Sequence, residues 1–64
     1  MEKILEKLPD VHRRMVQNTL DIINKETNEI CRRMFLSWLS GQADILLADQ
    51  LITVDDYILM VNFK

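Results

Sequence analysis

Few residues of this sequence could take part in catalysis or metal binding. It contains one His (His12) and one Cys (Cys31). A general base or nucleophile needs a second group that orients or activates it, and neither residue has an evident acidic or nucleophilic partner. A single Cys also excludes an intrachain disulfide, and one His with one Cys is too few for a structural zinc site. The sequence therefore predicts no enzyme activity, no bound metal and no cofactor.

Acidic residues dominate the second half of the chain, where residues 34–64 hold four Asp and one Lys. Asp49, Asp55 and Asp56 lack the ligand spacing and the central Gly of a calcium-binding loop. Asp55 and Asp56 instead suit the first turn of a helix, where the helix dipole favours negative charge. Together with Asp44, these three residues predict a negative surface that a basic protein partner could contact.

The basic residues include two adjacent Arg pairs. Neighbouring positions on a helix diverge by about 100°, so a pair does not form one patch, and a solvated face is the expected role. A helix-turn-helix DNA reader centred on Gly41 is rejected, because its second helix (residues 43–50) has two Asp and no basic residue. The net charge of −2 also argues against a general nucleic-acid binder. An alternative function is that of a small dimeric regulator that binds RNA or DNA. The residues expected to contact the nucleic acid are then Arg13, Arg14, Lys25, Arg32 and Arg33.

Length and composition limit the fold. Sixty-four residues form one domain, residues 1–64, and a chain of this size buries only about 60% of its unfolded surface. The chain has only one Gly and one Pro, the residues that most often form the turns of β-hairpins. This scarcity favours helices. No apolar run reaches the roughly 20 residues that span a membrane, and the N-terminus lacks the long apolar segment of a signal peptide. We therefore expect a small all-α protein in the cytoplasm, stabilised further by well-packed helices or by oligomerisation.

The first half predicts a short turn followed by an amphipathic helix. Residues 1–8 place Ile4, Leu5 and Leu8 on one side, which should cover one end of the core. Pro9 ends this turn and suits the start of the next helix. Residues 10–24 form a helix whose apolar residues fall within about half of its circumference. Its predicted buried face comprises Val11, Met15, Val16, Thr19, Leu20, Ile22 and Ile23.

The second helix, about residues 28–49, is apolar over roughly two thirds of its circumference. Residues 24–28 either form a tight turn, with Thr27 or Asn28 as the helix N-cap, or continue one long helix; we favour the turn. The cluster of Met34, Phe35, Trp38 and Leu39 is expected to lie in the core. A helix apolar on so many sides must be covered by more than one neighbour. Leu36 and Leu47 are expected to remain uncovered, and with Trp38 they form the predicted partner-binding surface of a homodimer.

The C-terminal segment contains a Thr-x-x-Asp capping box, with Thr53 as the N-cap and Asp56 three residues later. Ile52 and Tyr57 are placed for a hydrophobic staple. The predicted third helix runs from Val54 to about Asn62 and buries Tyr57, Ile58, Met60 and Val61.

Residues 45–60, which include LLADQLITVDDYILM, resemble the short C-terminal helical module called SHOCT. In that module, too, a helix ends in an apolar pair and Thr, followed by two acids and an aromatic residue. The family usually has Gly where this chain has Gln50. Similar tails are common in small proteins of phages and mobile elements. The resemblance implies a helical hairpin and an interaction role, and it implies no catalytic residue.

These observations predict a small three-helix domain, a helical hairpin with a short C-terminal helix, that forms a homodimeric bundle. The predicted function is that of a non-enzymatic regulatory or adaptor protein that binds another protein. A phage- or plasmid-borne inhibitor of a host protein fits this description. The alternatives are the nucleic-acid-binding regulator above and a small phage structural or assembly protein.

Overall fold

The computed structural model describes all 64 residues and contains four helices and no strand. Helix α1 spans Glu2–Glu6, α2 spans Asp10–Lys25, α3 spans Glu29–Ala48 and α4 spans Val54–Val61. The predicted all-α domain, a helical hairpin with a short C-terminal helix and an extra N-terminal turn, is confirmed. None of the four helices combines the length and the hydrophobicity needed to cross a membrane.

The α2–α3 hairpin turns at residues 26–28, which confirms the predicted turn and excludes one continuous helix. Glu26 and Asn28 both have extended backbone conformations. The Asn28 side-chain oxygen accepts hydrogen bonds from the backbone N–H groups of Ile30 and Cys31, at 3.0 and 3.1 Å. This cap satisfies donors that the first turn of a helix leaves without partners. The turn between α2 and α3 therefore depends on the polar N-cap Asn28 and contains neither Gly nor Pro.

The core lies where α2 and α4 pack against α3, and α1 closes one end. One polar link joins α2 to α3: the Thr19 hydroxyl accepts from Gln42 Nε2 at 2.8 Å and donates to the Met15 carbonyl at 3.2 Å. This arrangement lets a buried hydroxyl keep hydrogen bonds inside the core. The buried apolar residues are Ile4, Leu8, Val16, Leu20, Ile23, Leu39, Ala43, Leu46, Ile52 and Met60.

Helix α1 is anchored by Arg13 in the first turn of α2. The Arg13 guanidinium donates to the carbonyl oxygens of Leu5 and Leu8, at 3.1 and 2.9 Å. These carbonyls lie at the end of α1, where a helix leaves acceptors without its regular backbone donors, and the Leu5 carbonyl also accepts from the Leu8 N–H at 3.2 Å. Ile4 and Leu8 are buried in the core, which confirms that the apolar side of the N-terminal segment covers one end of it.

Helix α3 ends at Ala48, and Gln50, two residues later, has a left-handed backbone with a φ of 60°. The N–H of Leu51 bonds to the carbonyl of Leu46 at 2.9 Å, and the N–H of Gln50 bonds to that of Leu47 at 3.0 Å. These two bonds form a Schellman motif, which favours Gly at the left-handed position. A non-glycine residue there costs about 1 kcal/mol. The geometry gives a physical reason why Gly would suit position 50.

Helix α4 begins with the predicted capping box, which is confirmed. The Thr53 hydroxyl accepts from the Asp56 N–H at 3.1 Å, and the Asp56 carboxylate accepts from the Thr53 N–H at 3.0 Å. The same carboxylate forms an ion pair with Lys7 at the end of α1. Asp56 therefore caps α4 and also connects the first and last helices.

The buried faces are narrower than the sequence pattern predicts. Val11 and Ile22 of α2 are exposed, and so is Ile58 of α4, so their predicted burial is wrong. Val11 and Ile22 lie more than about 100° around the helix from buried Val16. Helix α2 packs mainly against α3 and α1. No element covers its far side.

Candidate protein-binding surface

Apolar side chains line the side of α3 that faces away from the core. Ile30 is 80% exposed, Met34 47%, Trp38 52% and Ile45 57%. At 100° per residue, the last three lie within about 40° of one another and roughly 125° from the row of buried residues on α3. Gly41 and Ala48 share this side and are also exposed. We call the six residues the outer face of α3: Ile30, Met34, Trp38, Gly41, Ile45 and Ala48.

Trp38 is the largest side chain of the outer face. Its ring meets the ring of Phe35 edge to face, with centroids 5.0 Å apart and an interplanar angle of 77°. Phe35 is itself half-buried and packed against the core. The expectation that Trp38 and Met34 are core residues is wrong, because α2 and α4 cover only the opposite side of α3.

Gly41 makes a notch in the outer face. A Cβ built on Gly41 would have nothing within 4 Å, so packing inside the chain does not require glycine there. A glycine in the interior of a helix costs about 1 kcal/mol relative to Ala. The residue therefore lowers the stability of α3 and leaves open space one turn from Trp38.

Leu36 and Leu47 are placed differently from the prediction. Both are half-buried and packed against the core, so the expectation that they remain uncovered is wrong. Leu36 lines a shallow groove with Val61 and Phe63 near the end of α4. The side of α3 that carries both Leu residues thus packs within the chain. Of the three predicted apolar partner contacts, Trp38 is the one on the outer face.

Sequence reasoning missed the separation of α3 into two apolar faces. The sequence pattern shows one broad apolar arc on α3, so Leu36 and Leu47, at the edge of that arc, were expected to be exposed. A signal was present: Cys31 and the five residues of the outer face that follow it have alternating spacings of three and four positions. That spacing is typical of the seam between paired helices.

The four predicted acidic contacts divide into two pairs. Asp44 accepts a hydrogen bond from the Tyr57 hydroxyl at 2.7 Å, and this bond, with a smaller contribution from burial, raises the pKa of Tyr57 above its ordinary value. Asp56 is used in the capping box and in the pair with Lys7. Asp49 and Asp55 are exposed and make no side-chain hydrogen bond or ion pair. Asp49 and Asp55 are therefore the two acidic residues of this set whose carboxylates are free to contact a partner.

The carboxylate of Asp56 makes the stability of the fold sensitive to acid. The hydrogen bond from Lys7, followed by that from the Thr53 backbone, lowers the pKa of Asp56. Because the folded pKa lies below the unfolded value of about 3.9, this stabilisation is present above that pH and is lost as pH falls through the folded pKa.

We expect the free energy of unfolding, measured by urea denaturation across an acid pH series, to decrease below about pH 4. The variant Asp56→Asn should be less stable at neutral pH and show a shallower decrease in acid. An identical pH profile in this variant would contradict the role given to Asp56.

The five basic residues of the alternative function are not assembled into one patch. Arg13 binds the carbonyls at the end of α1, Arg32 donates to the carbonyl of Lys64, and Arg33 pairs with Glu29 at 3.6 Å. Arg14 and Lys25 are exposed without a side-chain partner; both lie on the far side of α2. Most of these cations therefore have contacts within the chain.

His12 and Cys31 lie on different helices, α2 and α3. His12 Nδ1 is buried without a hydrogen-bond partner, and Cys31 is half-buried with a free thiol. Gln42 Oε1 is the other buried polar atom that lacks a partner. No three His, Cys, Asp or Glu side chains come together in a way that could hold a metal ion.

Comparisons with models of protein families, with curated proteins and with solved structures give no match.

Proposed function

We propose that this chain is a non-enzymatic protein-binding domain that self-associates as a homodimer through the outer face of α3. The observation that carries the proposal is that three large apolar side chains, Met34, Trp38 and Ile45, are about half exposed on one side of a helix whose other side forms the core. Contiguous apolar patches on soluble proteins often mark interaction surfaces. The outer face also contains no charged residue, so two copies of it meet without repulsion.

The size of the outer face indicates a reversible dimer. Its four large side chains form an apolar patch on the order of 400 Å² per protomer, which is within the roughly 300–600 Å² of the largest patch on a typical monomer. Two such faces with a surrounding rim bury about 1,000 Å², the lower limit for a specific interface. We therefore expect dissociation in the micromolar range, where small changes in contact area have measurable effects.

Trp38 provides a direct test, because it is the only Trp in the chain. Burial of its half-exposed ring in a dimer should move its fluorescence emission to shorter wavelength as protein concentration rises through the micromolar range. Far-ultraviolet circular dichroism over the same series is the control, and it should stay constant. Constant Trp38 emission at all concentrations would contradict self-association through this face.

The finer role that we propose is that of a cytoplasmic regulator, carried by a phage or plasmid, which binds and inhibits a host protein. The resemblance to the SHOCT module and the small size of the chain support it. Of the four predicted acidic contacts, Asp49 and Asp55 remain available to a basic partner, since Asp44 and Asp56 are used within the fold.

The acidic contacts can be tested once a basic partner has been captured. We expect the double variant Asp49→Lys, Asp55→Lys to lose that partner. Reversal of two other exposed acids, Glu2→Lys with Glu6→Lys, gives the same net charge and should retain it. Equal binding by both double variants would remove Asp49 and Asp55 from the proposed surface.

A further inference from the structure

Six residues along α3, which we call the seam, are regular both in their spacing and in the sizes of their side chains. Cys31, Met34, Trp38, Gly41, Ile45 and Ala48 alternate by three and four positions, as the a and d positions of paired helices do. Five of the six belong to the outer face, and Cys31, which is half-buried, extends the seam by one position towards the start of α3. The largest residue, Trp38, and the smallest, Gly41, are neighbours at its centre.

The seam is complementary to itself when it is reversed. A twofold axis perpendicular to α3, between positions 39 and 40, brings each seam residue opposite another: Trp38 opposite Gly41, Met34 opposite Ile45, and Cys31 opposite Ala48. At 100° per residue, the two members of each pair lie symmetrically about one direction on the helix. The central pair sets a large ring against the open space beside Gly41, where a Cβ would have no neighbour within 4 Å.

The parallel arrangement fits less well. It would place Trp38 against Trp38 and Gly41 against Gly41, so one layer would be overfilled and the next would be empty, and both defects weaken packing. Parallel helices also align their dipoles unfavourably, whereas antiparallel helices place the positive end of one beside the negative end of the other.

We propose that the occupant of the outer face is a second copy of this chain, whose α3 runs antiparallel and seats its Trp38 on Gly41. This orientation and register rest on the self-association proposed above. The partner surface is therefore the same face of the second copy, related by a closed twofold axis that leaves no second copy of the seam exposed.

Disulfide mapping of the full chain tests the register. In the variant Ala48→Cys, the native Cys31 should form an intermolecular disulfide with the introduced thiol at position 48 under mild oxidation, identified by mass spectrometry of unreduced peptides. The antiparallel seam places these two positions opposite each other, within the short Cα separation that a disulfide needs. The wild-type chain should form no covalent dimer, because its two Cys31 residues would lie about 25 Å apart along the seam.

Asn18→Cys is the matched control, since it adds one exposed thiol on α2 outside the seam. It should give no specific disulfide to Cys31. A covalent Cys31–Cys31 dimer in the wild type would show a parallel seam, and a noncovalent dimer without the bond between positions 31 and 48 would show another register. Either result overturns this inference and leaves self-association standing. A monomer at all concentrations overturns both.

The variant Gly41→Leu is a second test of whether Trp38 of one copy packs against Gly41 of the other. Nothing within the chain lies close to Gly41, so the fold should be retained and the stability of the isolated chain should not fall. In the antiparallel dimer the new side chain would occupy the space of the Trp38 ring, and self-association should weaken at least about tenfold. Unchanged or tighter self-association would overturn the pairing of Trp38 with Gly41.

Discussion

Replacing Trp38 with Glu is expected to prevent self-association while leaving the helical fold in place. The symmetry of the proposed dimer introduces two carboxylates into its centre, and each would lose its hydration without a basic partner. Buried aromatic residues at the centre of an interface often contribute about 2 kcal/mol or more, so the dissociation constant should rise by at least about 30-fold. Within the chain, Trp38 is already 52% exposed, and the substitution removes its partial burial and the edge contact with Phe35, which is worth about 1 kcal/mol.

Two further variants separate an interface effect from a folding effect. Met34→Glu lies on the same face without the aromatic contact and should also weaken association. Ile22→Glu introduces the same charge at an exposed apolar residue of α2, outside the outer face, and should associate as the wild type does. Sedimentation velocity on all four proteins compares them directly. Loss of association in Ile22→Glu, with retention in Trp38→Glu, would place the interface on α2.

Replacing Leu46 with Ala is expected to remove about a third or more of the protein's free energy of unfolding. Leu46 is fully buried on α3 in the core, and its carbonyl also accepts the Leu51 bond that closes the helix. Truncation of a buried Leu to Ala typically costs about 3 kcal/mol through lost burial and a residual cavity. At 0.05–0.15 kcal/mol per residue, a domain of this size has about 3–10 kcal/mol of stability in total.

Leu59→Ala is the matched control, because Leu59 undergoes the same change at a residue that is 61% exposed on α4. It should cost less than about 0.5 kcal/mol. The comparison is made by urea denaturation followed by circular dichroism at low concentration, where association does not contribute. Similar losses in the two variants would mean that the core is not centred on the contact of α3 with α2 and α4.

Local signals predicted most of the fold. Asn28 and Thr53 act as N-caps in the structure, and Asp56 completes the capping box, because side-chain caps depend on residues only a few positions apart. The buried faces were predicted less well. Val11 and Ile22 are apolar residues on the far side of α2, and periodicity alone does not show whether a neighbour covers that side.

The surface depends on contacts between distant residues, which local patterns do not contain. Asp56 appears in the sequence as a capping residue, yet its ion pair with Lys7 joins positions 49 apart in the chain. Leu36 and Leu47 are covered because of the side on which α4 packs. Their partial burial shifts the proposed partner surface to the outer face around Trp38. Its spacing was readable in the sequence, but the separation of α3 into an inner and an outer face required the position of α4.

The molar mass in solution tests the central claim most directly. Light scattering over a series from about 1 µM to 1 mM covers the expected dissociation range. We predict a mass that rises from the monomer value of 7.6 kDa and stops at twice that value, because a twofold interface closes on itself. A mass that stays at 7.6 kDa throughout, in a chain that remains helical, would contradict self-association through the outer face of α3. Growth beyond the dimer would contradict a closed twofold pair.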